Sequence, residues 1–124
     1  MKYLLLAYRD ENRWALLPPS EKEAIVAACL PFDDELRRSG HLVAMGSLPS
    51  RLFATALRTR NGKLLTTDGP YVETREHLDG FVLIEARDLN EAIRVASNHP
   101  AAQLGEQLGW GVEVWPFERF EDTE

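Results

Sequence analysis

Apolar residues follow two patterns along this chain: short unbroken runs, and stretches in which they recur at helical spacing. Residues 3–8 are an unbroken apolar run of strand length, and residues 81–86 are apolar on both faces. Both segments therefore predict central strands with cover on each side. Shorter strand-like segments lie at 41–48, 53–60, 63–67 and 112–115, and the Asn61-Gly62 turn predicts a hairpin between the second and third of these.

Two segments have helical spacing. The first spans residues 20–39, with Ser20 and Glu23 in capping-box spacing and Gly40 at the stop position, while Pro31 should kink or split it. The second begins at the Asp88 cap and ends at residues 98–100. The positions expected on the buried faces are Ile25, Ala28, Cys29, Phe32 and Leu36 in the first helix and Leu89, Ala92, Ile93 and Ala96 in the second.

The order of these elements is strand, helix, strand, hairpin, strand, helix, strand. This order predicts an α+β sandwich with both helices on one face of a mainly antiparallel sheet. Alternate residues of 3–8 and 81–84 point to opposite faces, and both faces are apolar. Because the helices cover only one face, we expect a second copy of the chain to cover the other.

The charge balance narrows the classes of partner. The 124 residues include 14 basic and 20 acidic ones, for a net charge of −6. This balance disfavours a nucleic-acid or anionic-membrane binder. We expect one cytoplasmic domain over residues 1–120, an acidic tail at 121–124 and no membrane span. With one cysteine and no ligand-like histidine spacing, we expect no disulfide and no metal or other cofactor.

Three titratable side chains are the candidate catalytic residues: Asp68, Glu73 and His99. Two carboxylates and a histidine bordering one polar pocket could perform general acid-base chemistry, with His99 as acid or base. Each also has a structural interpretation. Asp68 begins a tight turn with Gly69, Glu73 could pair with an arginine, and His99 could interact with a helix C-terminus.

The segment 68–76, Asp-Gly-Pro-Tyr-Val-Glu-Thr-Arg-Glu, followed by Asp79-Gly80-Phe81, resembles the signature of the YCII-related family in its DGPF-domain branch. Tyr71 stands where the branch name has Phe. The segments 35–37, 61–63, 89–92, 100–102 and 112–114 also fall in the usual order. The resemblance implies a ferredoxin-like sandwich with an extra hairpin, which pairs into a dimeric α/β barrel.

The same resemblance implies two kinds of function. Relatives are proposed as small-molecule enzymes, one a dehydrochlorinase of a chlorinated aromatic, with a helix histidine and an aspartate near the end of the second helix. Cys29 and His99 stand near those positions here, so that dyad does not carry over unchanged. We therefore predict a small-molecule enzyme or ligand-binding protein with a pocket near the dimer interface. The alternative is a non-enzymatic accessory protein that acts with an extracytoplasmic-function sigma factor.

Overall fold

The computed structural model describes residues 1–71 and 74–123. Its strands are β1 (Lys2–Asp10), β2 (Leu42–Ser47), β3 (Thr55–Arg60), β4 (Lys63–Asp68), β5 (Glu76–Glu85) and β6 (Gly111–Pro116). Its helices are α1 (Glu11–Ala15), α2 (Pro19–Ser39), α3 (Leu89–Ala96), α4 (Pro100–Gln103) and α5 (Gly105–Leu108). None of the described helices is long and apolar enough to cross a membrane.

Four strands form one antiparallel sheet in the order β2-β5-β1-β6, and β3 pairs with β4 in a separate hairpin. The α2 helix connects β1 to β2, and α3 begins the connection from β5 to β6. The predicted α+β class is confirmed. The β-α-β-β-α-β order of the main elements agrees with the ferredoxin-like arrangement that the resemblance implies.

The two faces of the sheet have different surroundings. Tyr3 and Leu5 of β1 are buried against the helices, in one core cluster with Phe32 and Leu36 of α2. The alternate residues face away from the helices. We call this second side the open face, and its side chains are Leu4, Leu6, Tyr8, Phe81, Leu83 and Trp115. Phe81 is 36% exposed and Trp115 52% exposed, so the open face remains apolar and uncovered in the single chain.

The α2 helix departs from the sequence expectations at its start. The residue before it, Pro18, makes no side-chain cap, so the Ser20–Glu23 capping box is wrong. Instead the helix begins on Pro19, whose fixed φ and missing N–H suit a first helical position. Pro31 lies inside one continuous helix and does not split it. Gly40 ends the helix at φ +80°, as its spacing predicts.

The buried faces of the long helices also differ from expectation. In α2 only Phe32 and Leu36 are buried, and Ala28 is exposed. In α3, Leu89 and Ile93 are each 46% exposed, so their predicted burial is wrong. The side chains that α3 buries are Ala92, Val95 and Ala96. Small side chains let a helix approach a sheet closely, and the larger side chains of Leu89 and Ile93 then lie on the exposed side of the helix.

Several boundaries differ because side chains cap the backbone locally. The β1 strand extends beyond the apolar run to Asp10, and α1 begins at Glu11, since Asp10 accepts hydrogen bonds from the backbone of Asn12 and Arg13. The strand predicted from residue 53 begins at Thr55, after a 3₁₀ turn at Arg51–Phe53 capped by Ser50. The short α4 and α5 helices were not expected.

Candidate functional site

A β-bulge in β5 places one acidic residue at the candidate site. Ala7 lies opposite Gly80 and Tyr8 opposite Leu78, so Asp79 has no partner in β1. Such an extra residue bends the strand and redirects a side chain. The backbone carbonyl of Asp79 accepts a hydrogen bond from the N–H of Leu48 at 2.8 Å, which ties the bulge to the segment after β2.

The Asp79 carboxylate lies beside a stack of large planar side chains. Arg9 Nη2 is 3.0 Å from Asp79 Oδ1, and the two side chains are only 18% and 21% exposed. The Arg9 guanidinium lies 4.6 Å from the ring centre of Trp14. The rings of Trp14 and Trp110 are 6.2 Å apart. The site therefore combines a shielded ion pair with an aromatic wall.

Burial raises the pKa of Asp79 above its ordinary value, and the charge of Glu11 adds to this effect. The positive charge of Arg9 and the nearby Trp110 indole oppose the rise without cancelling it. A carboxyl group with a raised pKa is better suited to exchange protons near neutral pH than an exposed aspartate.

Two buried donors lie at the site, and one of them, the Trp110 indole N–H, faces the Asp79 carboxylate. Among the described residues, neither Arg9 Nε nor Trp110 Nε1 has a hydrogen-bond partner of normal geometry, although both atoms are inaccessible to solvent. An unsatisfied buried donor costs about 1–3 kcal/mol, so such groups generally meet a water molecule or a ligand. Arg9 and Trp110 line the same cavity as Asp79.

This cavity, which we call the site cavity, has a volume of about 480 Å³ and lies between the sheet and α2. Its volume is within the range of about 300–1,000 Å³ typical of small-molecule sites. Its lining combines residues of α2 with residues of β1, β2 and β5, among them Phe81 of the open face. The polar and aromatic residues around it are Arg9, Trp14, Cys29, Phe32, Asp33, Ser47, Asp79, His99 and Trp110.

Cys29 is present in the site cavity as a thiol. Burial and the negative charges of Asp33 and Asp79 raise its pKa. Its Sγ donates to the carbonyl oxygen of Ile25 at 3.5 Å. Because only the thiolate is a strong nucleophile, this environment does not activate Cys29. Burial also raises the pKa of Asp33.

His99 lies in the site cavity, as the N-cap of α4. Its Nδ1 accepts a hydrogen bond from the N–H of Ala101 at 2.9 Å, and its ring meets the Phe32 ring edge-on at 4.8 Å. Burial lowers the pKa of His99 to about 4. The ring is thus neutral at physiological pH with its proton on Nε2, unlike the cation that interaction with a helix C-terminus would favour.

The structure does not bring Asp68 to His99. Asp68 is the exposed last residue of β4, opposite Thr55, and it lines neither the site cavity nor the two other cavities described below. Glu73 lies outside the described residues. The catalytic roles predicted for Asp68, Glu73 and His99 stay predictions.

Two further cavities lie outside the site. One of about 550 Å³ is a groove between α2 and α3. The other, about 500 Å³, is mostly apolar and lies where Tyr8 and Leu78 meet the base of the β3–β4 hairpin. In the part of the chain that the structure describes, no three His, Cys, Asp or Glu residues are grouped so as to hold a metal ion.

The chain matches the YCII-related domain over residues 1–118. It belongs to that family. An uncharacterised protein of Rhizobium meliloti (strain 1021) is 31% identical over 96 residues, which are 77% of this YCII-related chain and 77% of that protein.

A solved structure shares the fold of this YCII-related chain. It is the 5-chloro-2-hydroxyhydroquinone dehydrochlorinase of Burkholderia phenoliruptrix AC1100, in complex with 2,5-dihydroxybenzoquinone. The alignment covers 97% of this chain and 96% of the dehydrochlorinase chain, with a TM-score of 0.51. The sequence identity is 16%, so the likeness concerns the fold alone.

The residues that build the site of this YCII-related chain have only weak signals in the sequence. Asp79 appeared only as part of the family signature, and Arg9 was not among the candidate residues. A usable signal was present in each case: Arg9 directly follows the apolar run 3–8, and Asp79 interrupts the approach to another apolar strand. A charged residue beside a central strand needs a partner, which each of these two provides for the other.

Proposed function

We propose that this YCII-related chain is a small-molecule enzyme or ligand-binding protein that holds a planar molecule with an anionic oxygen in the site cavity. The observation that carries the proposal is the pair of buried donors beside Asp79, Arg9 Nε and Trp110 Nε1, neither of which has a hydrogen-bond partner of normal geometry among the described residues. A ligand oxygen is a suitable acceptor for both. The 2,5-dihydroxybenzoquinone bound by the dehydrochlorinase is a molecule of this type.

Asp79 is the acid-base group of this proposal. Its carboxyl lies in the cavity with a raised pKa, and the 3.0 Å contact with Arg9 fixes its orientation. A positioned acid or base of this kind contributes roughly 10²–10⁴-fold to a reaction rate. Trp14 and Trp110 provide the apolar wall against which a planar ring packs.

His99 contributes a hydrogen-bond donor. Its Nδ1 is occupied by the N–H of Ala101, which leaves the Nε2–H as the group available to a ligand. With a pKa of about 4, the neutral ring donates this hydrogen bond without carrying a charge at neutral pH. Asp68 and Glu73 have no assigned step in this proposal, although both remain candidates from the sequence.

A thermal-shift measurement tests the binding step. The ligands are 2,5-dihydroxybenzoquinone and benzoate, with benzamide as the neutral counterpart of benzoate. A ligand at one hundred times its Kd stabilises the folded chain by about 2.7 kcal/mol. We expect the two anions to raise the Tm of the wild-type chain and benzamide to leave it unchanged.

Two variants and a control define the site. Arg9→Gln should abolish the anion-dependent shift, since it removes the charge at the two donors. Asp79→Asn should retain binding but lose any proton-transfer activity. Arg38→Gln is the matched control, because Arg38 is 73% exposed on α2 and pairs with Glu35. A shift that persists in Arg9→Gln, or that benzamide reproduces, would contradict the proposal.

We also propose that the chain forms a homodimer through the open face, as in a dimeric α/β barrel. The support is the apolar character of this face, where Leu4 lies opposite Leu83 and Leu6 opposite Phe81. Contiguous apolar surface of this kind marks an interaction site. A stable interface needs about 800 Å² on each copy. Light scattering at micromolar concentration measures the oligomeric state, and a monomer at that concentration would refute the homodimer.

The non-enzymatic alternative, an accessory protein for an extracytoplasmic-function sigma factor, has one observation in its favour. Leu52 and Phe53, before the hairpin, are 75% and 78% exposed. An exposed apolar pair outside the open face suits a protein partner. Co-purification with that sigma factor, lost in Phe53→Ser but not in Arg9→Gln, would favour this alternative over the enzyme.

A further inference from the structure

The mostly apolar cavity at the base of the β3–β4 hairpin, which we call the apolar cavity, adjoins the site cavity. Its volume is about 500 Å³, against about 480 Å³ for the site cavity, and Leu48 lines both. Two pairs of sequence neighbours also divide between them. Tyr8 and Leu78 line the apolar cavity, whereas Arg9 and Asp79 line the site cavity. The two cavities therefore border one another at the bulge in β5.

The β2 strand ends where the two cavities adjoin. Its last residue, Ser47, lies opposite Gly80, and the N–H of Leu48 donates to the carbonyl oxygen of Asp79 at 2.8 Å. Before Asp79, residues 76–78 of β5 pair with β1 but not with β2. This edge of β5 is therefore free of a strand partner beside Leu48, and residues 76–78 line the apolar cavity there.

Several polar side chains around the apolar cavity form hydrogen bonds within the chain. Arg51 Nη1 and Ser50 Oγ donate to the Glu11 carboxylate at 2.8 Å and 3.2 Å. Thr74 Oγ1 donates to the backbone oxygen of Glu76. Because these groups are already bonded, the cavity offers a ligand mainly apolar surface, which suits a hydrocarbon group better than a charged one.

His77 also lines the apolar cavity, and it does not require a polar ligand there. Its Nδ1 is inaccessible to solvent and has no partner of normal geometry among the described residues. The Nε of an arginine and the Nε1 of a tryptophan always carry a hydrogen. In a neutral imidazole the proton can instead lie on Nε2, so His77 Nδ1 need not be a donor.

Large apolar side chains around the apolar cavity are left uncovered by the chain itself. Phe53 is 78% exposed, and Leu48 and Leu78 are each 42% exposed. A methylene group that moves from water into full contact with such a surface tightens binding by about threefold to fourfold. An apolar group of several carbons would therefore gain substantial affinity in this cavity.

The wall of the apolar cavity is anchored to the rest of the chain. The backbone N–H of Arg51 donates to the Glu11 carboxylate at 2.6 Å, one residue after β1. The carbonyl oxygen of Ala54 accepts a hydrogen bond from the N–H of Gly69 at 2.7 Å. Because the backbone is held at both points, the cavity is formed before a ligand enters it, as is usual for small-molecule sites.

We propose that the ligand of the site cavity is amphipathic: its planar anionic part lies beside Arg9 and Asp79, and an apolar substituent extends past Leu48 into the apolar cavity. The inference rests on the proposed function and deepens it, because it names the substrate class. That class is a planar ring with an anionic oxygen and an alkyl substituent of several carbons. The hydrogen bond between Leu48 and Asp79 fixes the junction of the two parts.

A series of alkylated ligands tests this inference. The probes are 2,5-dihydroxybenzoquinone, as the parent, and its 3-propyl and 3-hexyl derivatives. The Kd of each for the full chain is measured by isothermal titration calorimetry. The 3-hexyl derivative should bind at least about thirtyfold more tightly than the parent, which requires only about three of its six alkyl carbons to be buried. The 3-propyl derivative should lie between the two.

Two variants alter the apolar cavity without touching the site cavity. Ala54→Phe fills part of it, and Phe53→Ala removes part of its wall. In each variant the gain from the hexyl group should fall to about tenfold or less, while the Kd of the parent should match that of wild type. Ala27→Phe is the matched control: Ala27 is exposed on α2 and lines none of the three cavities, so the full gain should remain.

Arg9→Gln tests whether the two parts belong to one ligand. It should weaken the parent and the 3-hexyl derivative by the same factor, because both place their anionic part beside Arg9 and the alkyl group contributes independently. If this variant weakened the parent but not the hexyl derivative, the alkyl group would bind without the anionic part in the site cavity, and the inference would be wrong.

The remaining outcomes separate this inference from the proposed function. Failure of all three probes to bind wild type would overturn the proposed function and this inference with it. Binding of the parent with a hexyl gain of less than about threefold would overturn the inference alone, because less than one methylene would then be buried. A second copy of the chain that fills the apolar cavity would give this result. A gain that is unchanged in both Ala54→Phe and Phe53→Ala would also refute it.

Discussion

Leu4 and Leu5 are neighbours in β1 with the same side chain, and the structure assigns them opposite surroundings. Leu5 is 1% exposed, opposite Val82 of β5 and Val114 of β6 in the core beneath the helices. Leu4 is half-buried on the open face, opposite Leu83 and Trp115. Truncation of each to alanine therefore separates the core of one chain from the surface between two chains.

The expected magnitudes follow from burial. Leu5→Ala removes a fully buried side chain and leaves a cavity, so it should lower the free energy of unfolding by about 2–5 kcal/mol. For a chain of this length, 1 kcal/mol corresponds to roughly 4 °C in Tm, which gives a decrease of about 8–20 °C. Leu4→Ala creates no cavity within the chain and should cost less than about 1 kcal/mol when the chain is monomeric.

Two assays read the two effects separately. Urea unfolding at nanomolar concentration reports the stability of the single chain, and sedimentation at micromolar concentration reports the dimer. Leu5→Ala should shift the urea midpoint strongly, whereas Leu4→Ala should shift it little and raise the dimer Kd. The assignment of the faces would be refuted if Leu4→Ala lowered the urea midpoint as much as Leu5→Ala, or if Leu5→Ala cost less than about 1 kcal/mol.

Two further predictions concern His99 and Gly80. Because burial lowers the pKa of His99 from 6.5 to about 4, the unfolded chain takes up this proton first, and stability should fall by up to about 3 kcal/mol as the pH decreases from 6.5 to 4. Urea unfolding across this pH range should show the loss of stability, and the loss should be smaller in His99→Gln. If the dependence of stability on pH were the same in His99→Gln as in wild type, His99 would not be its cause. A Cβ on Gly80 would lie 2.7 Å from the backbone oxygen of Gly46, so Gly80→Ala should push β2 away and cost about 1–3 kcal/mol. Gly111→Ala, where no atom lies within 4 Å of the added carbon, is the control, and equal Tm values for the two variants would contradict the prediction.

The strands, the long helices and the hairpin turn could be predicted because local patterns specify them. The run 3–8 and the Asn61-Gly62 turn are examples, with Asn61 at φ +52° and Gly62 at φ +75° in the structure. The faces of α2 and α3 could not be predicted to the same extent. Both helices have apolar residues on more than one side, and tertiary packing decides which of these residues are buried.

The candidate site was harder to predict because its chemistry depends on contacts between distant segments. Arg9 and Asp79 are 70 positions apart and meet only through the pairing of β1 with β5. His99 was found by its place near the end of the second predicted helix, but its neutral state follows from burial against Phe32, which its own segment does not reveal. Asp68 has the residue type for the task but lies on an exposed hairpin end.

The bulge in β5 makes the parity of residue numbers change along a single strand. After the bulge, the residues that pair with the open-face residues of β1 are odd-numbered: Phe81 and Leu83. Before the bulge, the corresponding residue is even-numbered: Leu78. Deletion of one residue at this point would restore regular pairing and leave every side-chain type but one intact. The strand would then follow a single parity, and no carboxylate would be directed at Arg9 by the extra residue. The number of residues in β5 thus encodes the site as much as their identity does.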